Sequence, residues 1–215
     1  MKISAIIFDI DGVLLESNKL MIELHKIIAK EMGLRVPDDK EITSLWGKSF
    51  GELINSIWPN VDAKLFKEYV KDYIKKEKII FPAVVGSKEV IKKLKKFGFK
   101  LGIVTGRPRD FTEDHMRNSG FNLNLFDVIV TGDDTKNHKP SPDPILHAID
   151  LLKVRPEETI YIGDSLMDSK AAKEAKVEFV GVLTGDVSKE EWIKNNVKNV
   201  ISSVSDLTSL LKDLD

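Results

Sequence analysis

An α/β fold built on a doubly wound parallel sheet, with a helical cap domain inserted near its start, is predicted by three features of the 215-residue sequence. From residue 80 onward, short apolar runs alternate with amphipathic stretches of helical period, the pattern of successive βαβ units. A further apolar run, Ile3 to Phe8, supplies a strand at the front. Between the two, residues from about Ser17 to Lys78 carry helical periodicity punctuated by Gly and Pro, with no convincing buried strand.

Taken in order, the strands are expected at Ile3 to Phe8, Lys100 to Thr105, Asp127 to Thr131, Thr159 to Gly163, Val177 to Val182 and Asn199 to Ser202. The helices between them are expected at Lys88 to Phe97, Phe111 to Ser119, Asp143 to Leu152, Met167 to Ala175, Lys189 to Asn195 and Ser205 to Leu214. The cap is expected to run through helices at Lys19 to Met32, Lys40 to Leu45, Phe50 to Trp58 and Ala63 to Glu77. Residues 1–16 and 80–215 then form a Rossmann-like core, and residues 17–79 the cap. An insertion after the first strand sits over its carboxyl end, where open α/β sheets bind ligands, so the cap reads as a lid.

Composition narrows the function. The 33 basic and 34 acidic side chains nearly cancel, which leaves no general field for nucleic acid or an anionic membrane. Any anionic ligand must be caught locally. With no cysteine, thiolate catalysis, disulfides and sulfur-ligated zinc are excluded, and a reducing, cytoplasmic compartment is the expected setting. Asp9 and Asp11 interrupt the first apolar run far short of a signal-peptide core or a membrane span. The composition says nothing of oligomeric state.

Acidic and small polar residues cluster just after the predicted strands, where the carboxyl ends of a parallel sheet converge. In Asp9-Ile10-Asp11-Gly12-Val13, an extended backbone points Asp9 and Asp11 to one side. Two carboxylates so close repel, which suits one as nucleophile and the other as acid or base; alone, the pair reads rather as a solvated strand end and turn. Gly12 permits a sharp exit turn. Val104-Thr105-Gly106-Arg107 presents a hydroxyl and backbone N–H groups to an anion, or merely caps the next helix. The prolines of His138-Lys139-Pro140-Ser141-Pro142-Asp143-Pro144 set the angle of Lys139, whose ammonium suits a phosphoryl oxygen; an ordinary surface lysine is the alternative. In Ile162-Gly163-Asp164-Ser165-Leu166-Met167-Asp168, Asp164 and Asp168 stand four apart and, with Asp9, offer the oxygen ligands that Mg2+ prefers, unless Asp164 only caps a helix. None of His25, His115, His138 or His147 has metal-ligand spacing with another, and none is given a catalytic role.

The four clusters, in this order and each after a strand, resemble the haloacid dehalogenase superfamily of phosphatases over nearly the whole chain, with the helical insertion in the place of that superfamily's type 1 cap and the overall pattern similar to its phosphoglycolate-phosphatase-like members. The resemblance implies Asp9 as nucleophile and Asp11 as general acid/base. It implies Thr105, Gly106 and Lys139 as the phosphate-binding set, and Asp9, Asp164, Asp168 and the main-chain carbonyl of Asp11 around Mg2+. The expected reaction is hydrolysis of a small phosphorylated metabolite through an aspartyl-phosphate. Lid and loop residues Glu16, Trp46, Lys48, Phe50 and Arg107 are candidates for specificity. Dehalogenation is disfavoured by Asp11, which that branch lacks, and phosphonate hydrolysis would need a cap lysine such as Lys19 or Lys48 in a distinctive context. A β-phosphoglucomutase-like mutase would carry a histidine where Met21 stands, and basic groups where Trp46 and Phe50 stand. Inorganic pyrophosphate stays open as a substrate. A receiver-type phosphoacceptor module, the non-enzymatic alternative, would lack the lid and place its acceptor on a middle strand.

Overall fold

The computed structural model describes residues 3–213. The ends of the expected core, residues 1–2 and 214–215, lie outside them, and with them the last residue of the helix expected from Ser205. Six parallel strands form one sheet: β1 (Ala5–Phe8), β2 (Lys100–Val104), β3 (Val128–Val130), β4 (Thr159–Gly163), β5 (Glu178–Val182) and β6 (Asn199–Ile201), in the spatial order β3-β2-β1-β4-β5-β6. The chain leaves β1 toward β2 on one side and returns at β4 on the other. The crevice between β1 and β4 is therefore the switch point at which open sheets bind ligands.

Residue alternation explains why both faces are covered. Ile6 and Phe8 of β1, with Ile160 and Ile162 of β4, face a cluster completed by Val90, Ile91 and Leu94 of α5 (Ser87–Lys96) and Met116 of α6 (Arg109–Asn118). Ala5, Ile7 and Tyr161 point the other way, to Ile145, Ala148 and Leu152 of α7 (Asp143–Leu152) and Ala171 and Ala172 of α8 (Leu166–Glu174). A strand buried on both faces reads as an unbroken apolar run, which is what made these strands visible in the sequence.

Between β1 and α5 come α1 (Asn18–Glu31), α2 (Asp39–Thr43), α3 (Phe50–Ile57) and α4 (Ala63–Glu77). They pack around a cluster of their own, with Ile28, Ile42, Leu53, Ile54, Trp58, Phe66 and Val70 buried in it, and Phe111 of α6 joins them from below. Local chemistry fixes their ends. Asp38 and Asp62 accept hydrogen bonds from the N–H groups of Glu41 and Lys64, and Ser49 and Glu52 form a reciprocal capping box. Such caps contribute about 1 kcal/mol each. The helix α2 ends at Thr43 rather than at the expected Leu45, and Trp46 to Lys48 turn back toward the sheet. At the other end of the chain, Ser203 caps a single 3-10 turn, Val204–Asp206, so that α10 (Leu207–Asp213) starts two residues later than expected.

Candidate active site

Asp9 is the first residue past β1, and its N–H donates to the Ile162 carbonyl of β4 at 2.9 Å, which holds it at the switch point. Gly12 then turns the chain at φ +67°, and a Cβ there would collide with the Asp164 carboxylate. The turn closes through Val13, Leu14 and Leu15, whose N–H groups all donate to the Ile10 carbonyl. Asp9 and Asp11 are thereby aimed into one crevice but given different partners.

The partner of Asp9 is Lys139, fully enclosed, with Nζ 2.9 Å from Asp9 Oδ2 and 2.7 Å from Asp168 Oδ1. The Tyr161 hydroxyl lies 3.2 Å from the same Nζ and donates to Asp168 Oδ1 at 2.9 Å. On the other oxygen of Asp168 fall the Ser165 N–H at 3.1 Å and hydroxyl at 2.5 Å. All four acceptor positions of the Asp168 carboxylate are thus engaged, one of them by Lys139. Burial works to discharge that lysine, but Asp168 and Asp9 beside it raise its pKa well above the ordinary value. Burial pushes Asp9 up to about 7 against the pull of Lys139, with Asp168 and Asp11 adding to the rise.

Asp11 has a cation of its own. Arg107 grips it with two parallel bonds, Nε to Oδ2 at 2.8 Å and Nη2 to Oδ1 at 2.5 Å, and the Ser17 hydroxyl donates to Oδ1 as well. Burial would raise the Asp11 carboxyl, but the guanidinium outweighs it and leaves the pKa below its ordinary value. Arg107 is buried rather than solvated: its Nη1 meets His115 Nδ1 at 2.6 Å and its guanidinium lies 5.0 Å from the Phe81 ring centre. Burial and Arg107 push His115 down to about 3, so the ring is neutral and accepts the bond.

Oxygen atoms of Asp9, Asp164 and Asp168 lie within 4.8 Å of one another, all buried. Burial, then Asp168 and Asp9, raise the Asp164 pKa well above its ordinary value. Asn18 donates to Asp164 at 2.9 Å and to Asp186 at 3.4 Å, and its own Oδ1 has no partner among the described residues. Hard carboxylate oxygens with an open acceptor beside them fit Mg2+, which keeps several of its waters. Asp9 and Asp164 keep acceptor positions open for it, Asp9 beside the bonds from the Ile10 N–H and Lys139, whereas those of Asp168 are engaged by Lys139, Tyr161 and Ser165.

The helical insertion seats on this crevice. Phe50 N–H donates to the Gly106 carbonyl at 3.2 Å, Trp46 Nε1 donates to Asp186 at 3.2 Å, and Lys67 and Lys71 of α4 reach Asp110 of α6 at 2.7 and 3.1 Å. A cavity of about 60 Å³ remains. Its core side is formed by Asp9, Asp11, Thr105, Gly106, Arg107, Lys139 and Asp164, and its lid side includes Met21, His25, Trp46, Lys48, Phe50 and Leu53. Of the expected specificity residues, Trp46, Lys48, Phe50 and Arg107 line it; Glu16 does not, being exposed just before the lid begins. Reading the sequence missed Ser17, Asn18, Tyr161, His115 and Asp186. Asp186 had a signal, since Leu183-Thr184-Gly185-Asp186 follows β5 as the other clusters follow their strands; the rest had none.

Residues 6–182 match the sequence model of the haloacid dehalogenase-like hydrolases. The chain belongs to that family. Among relatives of this hydrolase, a protein of Bacillus mycoides named pyrophosphatase PpaX is 28% identical over 222 residues, covering 100% of both chains. One of Nitrosospira multiformis named phosphoglycolate phosphatase is 27% identical, over 98% of this chain and 96% of its own. A crystal structure of a hydrolase from Pseudomonas syringae superposes with a TM-score of 0.84 at 24% identity, over 98% and 99% of the two chains, and shows the same fold.

Proposed function

We propose that this hydrolase is a Mg2+-dependent phosphatase acting on small phosphomonoesters through an aspartyl-phosphate on Asp9, with residues 17–79 as its lid domain. One observation carries the reading: two neighbouring carboxylates held by separate cations, Asp9 by Lys139 and Asp11 by Arg107. A nucleophile and an acid/base differ in just this way, one facing the phosphoryl group and the other the proton.

Asp9 attacks phosphorus in line with the leaving oxygen. Thr105, the Gly106 N–H and Lys139 take the phosphoryl oxygens, and Lys139 offsets the negative charge that would keep one anion from another. Mg2+, held by Asp9, Asp164 and the Asp11 carbonyl, would supply further charge neutralisation at the phosphoryl group. Asp168 acts through Lys139. Asp11, ionised in the grip of Arg107, receives a proton from a monoanionic phosphate, passes it to the departing alkoxide, and then takes one from the water that hydrolyses the intermediate. The cavity, a few waters in size, favours a small substrate.

The test is phosphate release with Mg2+ across glycolate, sugar, nucleotide and inorganic pyrophosphate substrates, with Asp9→Asn as control. Turnover of small monoesters by the wild type and none by Asp9→Asn is expected; near-normal hydrolysis by pure Asp9→Asn overturns the nucleophile. Exclusive turnover of pyrophosphate, the substrate named for the Bacillus mycoides relative, would replace monoesters as the substrate. A sugar 1-phosphate converted to its 6-phosphate would make the protein a mutase, which the apolar Met21 on the lid side of the cavity argues against.

A further inference from the structure

The turn Leu183-Thr184-Gly185-Asp186, which follows β5, is anchored beside the carboxylates of the site. The Thr184 hydroxyl donates to the Gly12 carbonyl at 2.5 Å, and Gly185 lies so close to Asp164 that a Cβ on it would collide with that side chain. From this fixed point on the core, Asp186 reaches the helical insertion in two places. Its Oδ2 accepts from Trp46 Nε1 at 3.2 Å and from Asn18 Nδ2 at 3.4 Å. Asn18 opens α1 and Trp46 lies between α2 and α3, so one core oxygen holds two separate parts of the insertion.

Trp46 stands where that hold has an effect on the cavity. A second, larger cleft of about 340 Å³ runs between Lys40, Thr43 and Ser44 of the insertion and Met167, Lys170 and Glu191 of the core. Among the described residues, Trp46 is the one insertion residue common to the walls of both spaces, and Asp164 the one core residue. The indole is therefore what the insertion places between them. Its main chain is tied down nearby by the bond from Phe50 N–H to Gly106, but that leaves the ring free to turn about its own side-chain torsions. An indole N–H only donates, so a carboxylate at its far edge fixes which way the ring faces. An ionised acceptor also makes the bond stronger than a neutral one would.

Resting on the phosphatase reading, we infer that Asp186 is a positioning residue, which holds the Trp46 indole as a partition between the two spaces and so limits the size of the leaving group that reaches Asp9. It acts through Trp46 and not on the phosphoryl group. Without the bond the ring can turn aside, the two spaces join, and a bulkier leaving group is admitted.

Removing the bond from either end tests this. Asp186→Ala deletes the acceptor, and Trp46→Phe keeps a ring but deletes the donor. The readout is the ratio of kcat/KM for methyl phosphate to that for phenyl phosphate, within which any general loss of activity cancels. Asp186→Ala should lower this ratio by about three- to tenfold, the effect of one hydrogen bond to a charged group. Made in a Trp46→Phe protein, the same change should have no further effect, because the bond is already gone. Asp186→Asn, which keeps an acceptor oxygen, should retain most of the wild-type ratio. Fluorescence follows the ring without any turnover. Trp58 and Trp192 are buried, so acrylamide quenches mainly Trp46; with the signal of Trp46→Phe subtracted, its quenching constant should rise in Asp186→Ala. An unchanged ratio, an unmoved quenching constant, or a ratio that falls as far in the Trp46→Phe protein would overturn the inference while leaving the phosphatase reading intact. The last result would assign the effect of Asp186 to Asn18 and Asp164 instead. If the wild type hydrolyses no monoester, the phosphatase reading falls, and the quenching constants alone still decide whether Asp186 holds Trp46.

Discussion

At the scale of single residues, the site is organised by which cation holds which carboxylate. Arg107 keeps the Asp11 carboxyl below its ordinary value, so removing the guanidinium should let it rise. In Arg107→Leu, the limb of the pH–rate profile set by Asp11 is expected to move to higher pH, whether that limb reports the acid or the base form; kcat/KM measured across pH checks it, and an unmoved limb would detach Asp11 from Arg107. Asp9, Asp11, Thr105, Lys139, Asp164 and Asp168 could be picked out of the sequence because short polar clusters stood after apolar runs. The residues that tune them could not. Tyr161 is hidden inside an apolar strand, Ser17 and Asn18 look like any polar pair before a helix, and the link from Arg107 to His115 needs the turn of α6 to bring them together. Arg107 was expected only as a specificity candidate, since a buried two-bond grip on Asp11 has no signature along the chain.

At the scale of elements, the helical insertion proposed as a lid meets the core by main-chain contact. Gly106 needs to lack a side chain because a Cβ would strike the carbonyl group of Lys48, and Phe50 N–H bonds the Gly106 carbonyl. Gly106→Ala should therefore hold the lid off the crevice. A loss in kcat/KM on the order of a hundredfold is expected, together with faster proteolytic cutting in the turn from Ser44 to Ser49, while the core keeps its thermal stability. Unchanged activity would show that closure does not depend on this approach. Helix periodicity made α1, α3 and α4 legible to within a residue or two, because each buries apolar residues at helical spacing. The short α2 and the turn after it were read less well: five residues give periodicity little to work with, and Trp46 looks like core although its indole N–H reaches across to Asp186.

At the scale of the whole molecule, parallel strands drive several carboxylates to one point. Asp9 and Asp164 have their pKa values raised in the folded chain. Between the ordinary carboxylate range and about 7, the folded protein then binds more protons than the unfolded one, so without metal its stability should fall as pH rises through that window. Mg2+ needs these groups ionised, and its binding should strengthen over the same range. The gain in Tm on adding Mg2+ should thus be larger at pH 8 than at pH 5, measured by calorimetry with and without chelator; an equal gain would place the ion elsewhere. The sheet itself was legible because strands covered on both faces read as continuous apolar runs. Their left-to-right order was not, since spatial neighbours leave no trace in such runs.

The seating of the lid on the backbone of the Gly106 loop has a consequence for how this protein can change over generations. Main-chain groups are supplied by nearly any amino acid, so Lys48 and Phe50 are free to be exchanged without undoing the bond from residue 50 to the Gly106 carbonyl. Drift in substrate range is therefore uncoupled from loss of closure. A lineage built on this arrangement can try new leaving groups one lid side chain at a time, holding the phosphoryl chemistry beneath it constant.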